Sequence, residues 1–347
     1  MDFTFSEDQL LFRDSVRDFL VNEVTPERIR GIWESDSGRD DGLWQQLAEM
    51  GLTGITVAEE HGGLGMNELD FVLLAQECGY VALPEPLVNT ALVAVPVISQ
   101  LGGEVAAQWL PQIAAGETRV AVGCRENGLA EDAAQSGLLL WAEPEALYLL
   151  TPEQFSARFN ESVDPSRRLY AVDIADGVAP VASGEQAAAL YRAVLDRGAL
   201  GAAAQALGLA QRMIDISVQY TGERQQFGKV IGSFQAVKHH MANVAVRLEY
   251  AKAPVTRAAY ALAHAEPAEV AVSHAKLVAC EAANLAAKNS IQVHGAMGYT
   301  WEVDLHIFMK KAWAMAGTFG DTGFHKQRVA EFIFADSVAL GAGTTFG

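Results

Sequence analysis

Apolar residues recur every three or four positions from the start of the chain. Ser6 precedes the first such run with Gln9 three places on, a capping-box start. Leu10, Leu11, Val16 and Phe19 follow at helical spacing until Thr25-Pro26 ends it. Further helices are predicted around Leu43, Leu47 and Met50, over residues 69–79, over 87–101 as a buried element, and over 105–113. The stretch GLTGITVAEEHGGLGM carries glycines that do not suit a helix interior and reads as turns. About five helices thus account for the first 118 residues.

The pattern changes at Thr118. Short β-favouring runs at 119–123, 137–141, 146–150 and 169–174 are separated by Gly, Pro, Asp and Ser, which predicts a small sheet ending near Ser183. Helical spacing then returns almost without a break. One helix begins near Ser233 and puts Val237, Met241, Val244 and Leu248 on one face; others are predicted over 255–262, 270–291, 303–317 and 325–334. Glycines 198, 201 and 208 among many alanines permit close helix packing, and the tail from Ala335 is expected to fray. The expected fold class is mostly α with a small β domain: an N-terminal helical domain over 1–118, a middle β domain over 119–183 and a C-terminal helical bundle over 184–347.

Composition narrows the function. The 347 residues are half hydrophobic, as in a folded globular chain. A formal net charge of -18 excludes a general nucleic-acid role, because no basic excess exists to neutralise a phosphate backbone. The same acidity is what a soluble protein carries. Cys78, Cys124 and Cys280 are too far apart for a C-x-x-C site, and the histidines show no metal-ligand spacing, so no metal is expected. The N-terminus lacks the basic region of a signal peptide, and the longest apolar stretch, 90–101, is too short for a membrane span. A soluble, cytoplasmic protein is expected.

Two stretches carry candidate chemistry. YTGERQQFGKVIG, residues 220–232, is a glycine-broken basic joint between helices. Arg224 and Lys229 in it are potential anion ligands, and Gln225 and Gln226 amide donors. Arg224 is either a solvated loop arginine or a pyrophosphate ligand, and its place in such a joint favours the second. IQVHGAMGYTWEVDLH, residues 291–306, opens with Gln292, and Gly295 and Gly298 are spaced so that backbone N–H groups can approach a ligand. Gln292 reads equally as a side chain tying down its own loop, Met297 and Tyr299 as packing residues, and Trp301-Glu302 as a turn salt-linked to Lys310 or Lys311. Together the two stretches look like halves of one phosphate-binding surface. No G-x-S-x-G, catalytic Cys–His pair or dinucleotide glycine fingerprint occurs, and Gly62-Gly63-Leu64-Gly65 lacks P-loop spacing.

RQQFGKVIGSFQAVKHHMANV and IQVHGAMGYTWEVDLHIFMKKA, in this order of elements, resemble the acyl-CoA dehydrogenase family, and the resemblance covers nearly the whole chain. It implies an N-terminal helical domain, a middle β domain (here reduced) and a helical bundle, with FAD as cofactor. It also implies that Arg224, Gln226, Phe227, Gln292, Gly295 and Gly298 clasp the ADP half of an FAD bound chiefly to a neighbouring subunit. Ala296 replaces a usual glycine. The family's base is a glutamate at one of two places, and this chain has Tyr191 at the first and Phe319 at the second. Much of the sheet that covers the flavin ring is missing; Trp141 is a possible substitute. What is kept is what a subunit lends to a neighbour, and what is lost is what it would use itself.

The chain therefore resembles the short subunit of heteromeric, α2β2 acyl-CoA dehydrogenases of steroid side-chain degradation. That implies no catalytic residue of its own, a longer catalytic partner subunit, an acyl-CoA substrate and an electron-transferring flavoprotein as acceptor. The alternatives are a self-sufficient homo-oligomer with Asp196 or Glu249 as relocated base, and a non-enzymatic structural member.

Overall fold

The N-terminal helices follow their caps. In the computed structural model, which describes residues 4–126 and 128–335, the Ser6–Gln9 box opens α1 (Glu7–Glu23), with Ser6 Oγ accepting from the Gln9 amide at 3.2 Å. Thr25-Pro26 ends α1 and also begins a helix that the apolar spacing did not reveal, α2 (Pro26–Glu34). Thr25 Oγ1 accepts from the Arg28 amide, and proline suits the first helical position because it needs no donor there. There follow α3 (Asp41–Glu49), α4 (Glu68–Tyr80), α5 (Leu87–Asn89), α6 (Val95–Leu101) and α7 (Gly103–Ala114). A π-turn at Thr90–Ala94 joins α5 to α6, so the expected helix over 87–101 is continuous but widened. The widening lies just before Pro96, whose ring would clash with a carbonyl four residues back in a regular helix.

The middle of the chain is a seven-stranded mixed sheet in the order β5-β6-β2-β1-β3-β4-β7. The strands are β1 (Val120–Cys124), β2 (Leu129–Glu131), β3 (Leu138–Ala142), β4 (Ala146–Leu150), β5 (Phe155–Asn160), β6 (Leu169–Ile174) and β7 (Ala182–Ser183). The parallel β1–β3 pair is central, with Val122 opposite Leu140 and Gly123 opposite Trp141. Its period-2 alternation separates two cores. Val120, Val122, Cys124, Leu138, Leu140 and Ala142 join the main core, whereas Ala121, Leu139 and Trp141 form a small cluster on the opposite face with Ala130, Leu150 and Tyr170.

Helices resume with α8 (Gly184–Glu223), 40 residues long, which crosses α4 at a backbone-to-backbone contact. A Cβ on Gly208 would fall 1.9 Å from the Gln76 carbonyl oxygen, so only glycine fits there. A hairpin of β8 (Gln225–Gln226) and β9 (Lys229–Val230) leads into α9 (Gln235–Ala263), then α10 (Glu269–His294), α11 (Leu305–Ala316) and α12 (Thr322–Ile333). The expected segment at 255–262 is not separate; α9 runs through Pro254. The carbonyl that loses its donor there belongs to Tyr250, an exposed residue.

Buried charges tie the parts together. Arg39 pairs with Asp132 and donates to the Ser166 carbonyl at 2.8 Å, while Lys311 lies 3.7 Å from Asp164, which joins α11 to the sheet. Among the described residues no helix is long and apolar enough to cross a membrane, and no group of three or more His, Cys, Asp or Glu side chains could hold a metal ion. The tail from residue 336 lies outside the described residues.

Candidate functional site

Three successive helices, α8, α9 and α10, run up, down and up, so the C-termini of α8 and α10 meet at one end of the bundle. The contact is direct: the Tyr220 ring, one turn before the end of α8, stacks on His294, the last residue of α10, with centroids 4.3 Å apart and planes 20° from parallel. The two sequence stretches singled out above therefore share one end of the fold.

Arg224 follows the last residue of α8 with extended backbone, its amide still donating to the Tyr220 carbonyl at 2.9 Å, and its side chain is exposed. Gln226 pairs with Lys229 across the hairpin. Phe227 and Gly228 form the two-residue turn with φ of +54° and +77°, both in the left-handed region that such hairpins require. A phenylalanine there costs on the order of 1–2 kcal/mol of backbone strain. Its ring is 90% exposed, touching Phe234 edge-on at 6.1 Å, while the Lys229 ammonium lies 4.4 Å from that Phe234 ring. Apart from that edge contact the ring faces solvent.

At the end of α10, Gln292 is exposed in the last turn and Gly295 takes φ +60° and ψ −136°, a backbone conformation open essentially to glycine. No heavy atom lies within 4 Å of where its Cβ would be, so the space beside it is free. Gly298 is buried, and a Cβ there would sit 3.0 Å from the Ile291 carbonyl oxygen. Ala296, where the family's glycine is usual, is exposed and crowds neither. This end of the bundle carries a guanidinium, amide side chains and the amides of a tight turn, the donor types that suit a pyrophosphate. The salt-linked turn does not form as expected. Lys310 lies over the Trp301 ring at 3.8 Å, and Lys311 turns inward to Asp164. A desolvated cation gains more from a ring face or a buried carboxylate than from the exposed Glu302.

The two positions of the family's base lie elsewhere, where the sheet meets the bundle. Tyr191 is 8% exposed and donates to Glu126 Oε1 at 2.9 Å. Burial, reinforced by that carboxylate acceptor, pushes its hydroxyl well above the ordinary tyrosine range. Phe319 is 3% exposed and lies over Gly198 of α8, where a Cβ would be 2.4 Å from its ring. His325 holds the loop through the Phe319 carbonyl, 3.1 Å from Nε2.

The cavity beside Phe319 has a volume of about 40 Å³ and is lined by Glu85, Glu131, Asp164, Arg167 and Lys311 among others. That is room for about one water and too little for an acyl chain. Trp141 gives no cover to this region, since it belongs to the outer cluster of the sheet and donates to Glu143 at 3.1 Å. Asp196 is paired with Arg328 at 2.7 Å, and Glu249 with Lys252 at 2.5 Å on α9.

Sequence reasoning missed three side chains here. Glu126 is an exposed acid in the loop after β1 that lines an open cleft of about 420 Å³ with Arg167, Asp321 and Phe324. Tyr220 and His294 join the two halves of the donor face. The only signal for Glu126 was an acid just after a predicted strand; for the stack, an aromatic one turn before Arg224.

Residues 6–117 match the model of the acyl-CoA dehydrogenase N-terminal domain and residues 188–334 that of its C-terminal domain. The chain belongs to the acyl-CoA dehydrogenase family. FAD is the cofactor typical of these oxidoreductases. The chain is 32% identical over 315 residues to acyl-CoA dehydrogenase IpdE2 of Mycobacterium tuberculosis, covering 88% of this chain and 91% of that protein. In fold it is similar to a chain of the ChsE4–ChsE5 complex from the same organism, with TM-score 0.86, 20% identity, and coverage of 96% and 100% of the two chains. It is also similar to a chain of the Tcur3481–Tcur3483 steroid acyl-CoA dehydrogenase, with TM-score 0.85, 24% identity, and coverage of 94% and 98%.

Proposed function

We propose that this acyl-CoA dehydrogenase chain is the lending subunit of a heteromeric enzyme. Arg224, Gln226, Phe227, Gln292, Gly295 and Gly298 would hold the ADP half of an FAD, and a longer partner subunit would hold the rest. The observation that carries this reading is a contrast within one chain. Arg224, Gln226, Phe227, Gln292 and Gly295, at the ends of α8 and α10, are exposed, while Phe319 fills the space beside Gly198. The guanidinium of Arg224 binds the pyrophosphate, the glutamines and turn amides add donors, and Phe227 supplies an apolar contact across the interface.

Bound FAD would supply the hydride acceptor for the β-carbon of an acyl-CoA thioester. The α-proton needs a carboxylate, and neither Tyr191 nor Phe319 provides one. In this reading the base is supplied by the partner, and an electron-transferring flavoprotein is the electron acceptor. Two-subunit proteins that share the fold, one of them described as a steroid enzyme, support a steroid side-chain thioester as the acyl group. Substituting Arg224→Ala in the co-expressed complex tests the reading. Loss of a charge-assisted contact worth about 1.5–3 kcal/mol weakens FAD retention at least tenfold; unchanged flavin after dialysis refutes the assignment.

One observation favours a second reading, a self-sufficient enzyme. Glu126 is a carboxylate facing an open cleft beside the family's base positions. Glu126→Gln separates the two: turnover survives it in the lending subunit and is lost if Glu126 is a relocated base.

A further inference from the structure

The proposed site has two arms, one at the end of α8 and one at the end of α10. Among the described residues an aromatic pair spans them. Tyr220 carries the carbonyl that accepts the Arg224 amide, so the position of its backbone sets where the arginine arm begins. His294 immediately precedes Gly295 and the turn that follows. Their rings stack at 4.3 Å, and the Tyr220 hydroxyl reaches the His294 carbonyl at 3.4 Å.

The state of the histidine follows from its partners. Nδ1 lies 2.7 Å from the Ser290 carbonyl, which can only accept, so Nδ1 carries the proton. Nε2 is then a bare acceptor, buried with no partner, in a side chain only 3% exposed. Burial lowers the histidine pKa, so the ring stays neutral. What the neutral ring does present is a flat face, stacked on Tyr220.

We infer that the Tyr220–His294 stack is a positioning device, which holds the Arg224 arm and the Gly295 arm at the separation that FAD's pyrophosphate requires. This rests on the donor face being the FAD site. A tenfold loss of cofactor affinity corresponds to about 1.4 kcal/mol.

The test measures FAD affinity by flavin fluorescence in the complex with its partner subunit, after flavin has been stripped and returned, with thermal midpoints recorded alongside. His294→Ala raises the dissociation constant about tenfold, and Tyr220→Leu does the same, giving a second route should the first variant fold poorly. His294→Phe keeps a flat ring and gives up only one hydrogen bond, so it restores affinity to within about threefold of the parent. A residue that mattered only for folding would lower the midpoint of the flavin-free complex and leave the affinity of the folded protein unchanged. If His294→Ala leaves affinity unchanged while Arg224→Ala weakens it, the positioning role is refuted and the binding face stands. If His294→Phe is as weak as His294→Ala, stacking is not the cause. If Arg224→Ala also has no effect, the site itself is misassigned and the inference falls with it.

Discussion

Phe319 offers the most exacting test of the packing argument, because it combines a buried ring with a left-handed backbone. The ring is 3% exposed and lies against Gly198, while φ is +54°. Truncation to alanine removes the ring and leaves a cavity, a change that costs about 3–5 kcal/mol in a core. Alanine keeps the strain of a Cβ at positive φ, roughly 1–2 kcal/mol, which glycine relieves. Glycine gives back about 0.4–1 kcal/mol through its freer unfolded chain. Phe319→Gly should therefore be more stable than Phe319→Ala by about 0.5–1 kcal/mol, the reverse of the usual order.

Gly198→Ala adds a second arm to the experiment. Its Cβ would fall 2.4 Å from the ring, so it costs about 1–3 kcal/mol in the parent and much less beside Phe319→Gly. Urea titration of the four variants reads these differences from midpoints at constant slope. The reasoning is refuted if glycine is clearly worse than alanine at 319, or if the cost of Gly198→Ala is independent of residue 319.

Other outcomes follow from buried polar groups. Burial, with Lys276 and Arg328 nearby, lowers the His325 pKa to about 4 against an unfolded value near 6.5, so the unfolded chain binds the extra proton between those pH values. Stability from this site is present above about pH 6.5 and falls by about 3 kcal/mol as pH drops through 4; His325→Asn should flatten that part of a melting-versus-pH curve. Breaking the Arg39–Asp132 pair with Arg39→Met strands a carboxylate that is fully buried, and chemical denaturation should show a loss of about 3–5 kcal/mol. Adding Asp132→Leu to that variant recovers a large part of it. Tyr191→Phe removes only the bond to Glu126, so turnover of the complex should stay within about threefold of the parent in steady-state assays.

Much of the fold was legible because its signals are local. The Ser6–Gln9 box, the strands at 138–142 and 146–150, and the α9 face of Met241, Val244 and Leu248 depend on near neighbours in the chain. The missed strands do not. β5, FSARFN, lies at the sheet edge with an irregular, mostly exposed pattern, and β2 and β7 are too short to show a period. That Trp141 turns away from the bundle follows from its register opposite Gly123, which no periodicity within β3 discloses. The same holds at the site. The glycines and Arg224 stood out by composition, whereas Tyr220 and His294 are 74 positions apart and only the bundle's up–down–up path unites them.

The central claim, that this chain lends a binding face to a flavin centred elsewhere, is tested most directly by flavin content. The chain is purified alone and, separately, with a longer acyl-CoA dehydrogenase subunit, and bound FAD is counted per chain by absorbance. The account predicts little or no flavin on the chain alone, a yellow complex, and loss of the colour when Arg224→Ala is placed in this chain only. One FAD per chain in the isolated protein, with acyl-CoA oxidation by that protein, would contradict it.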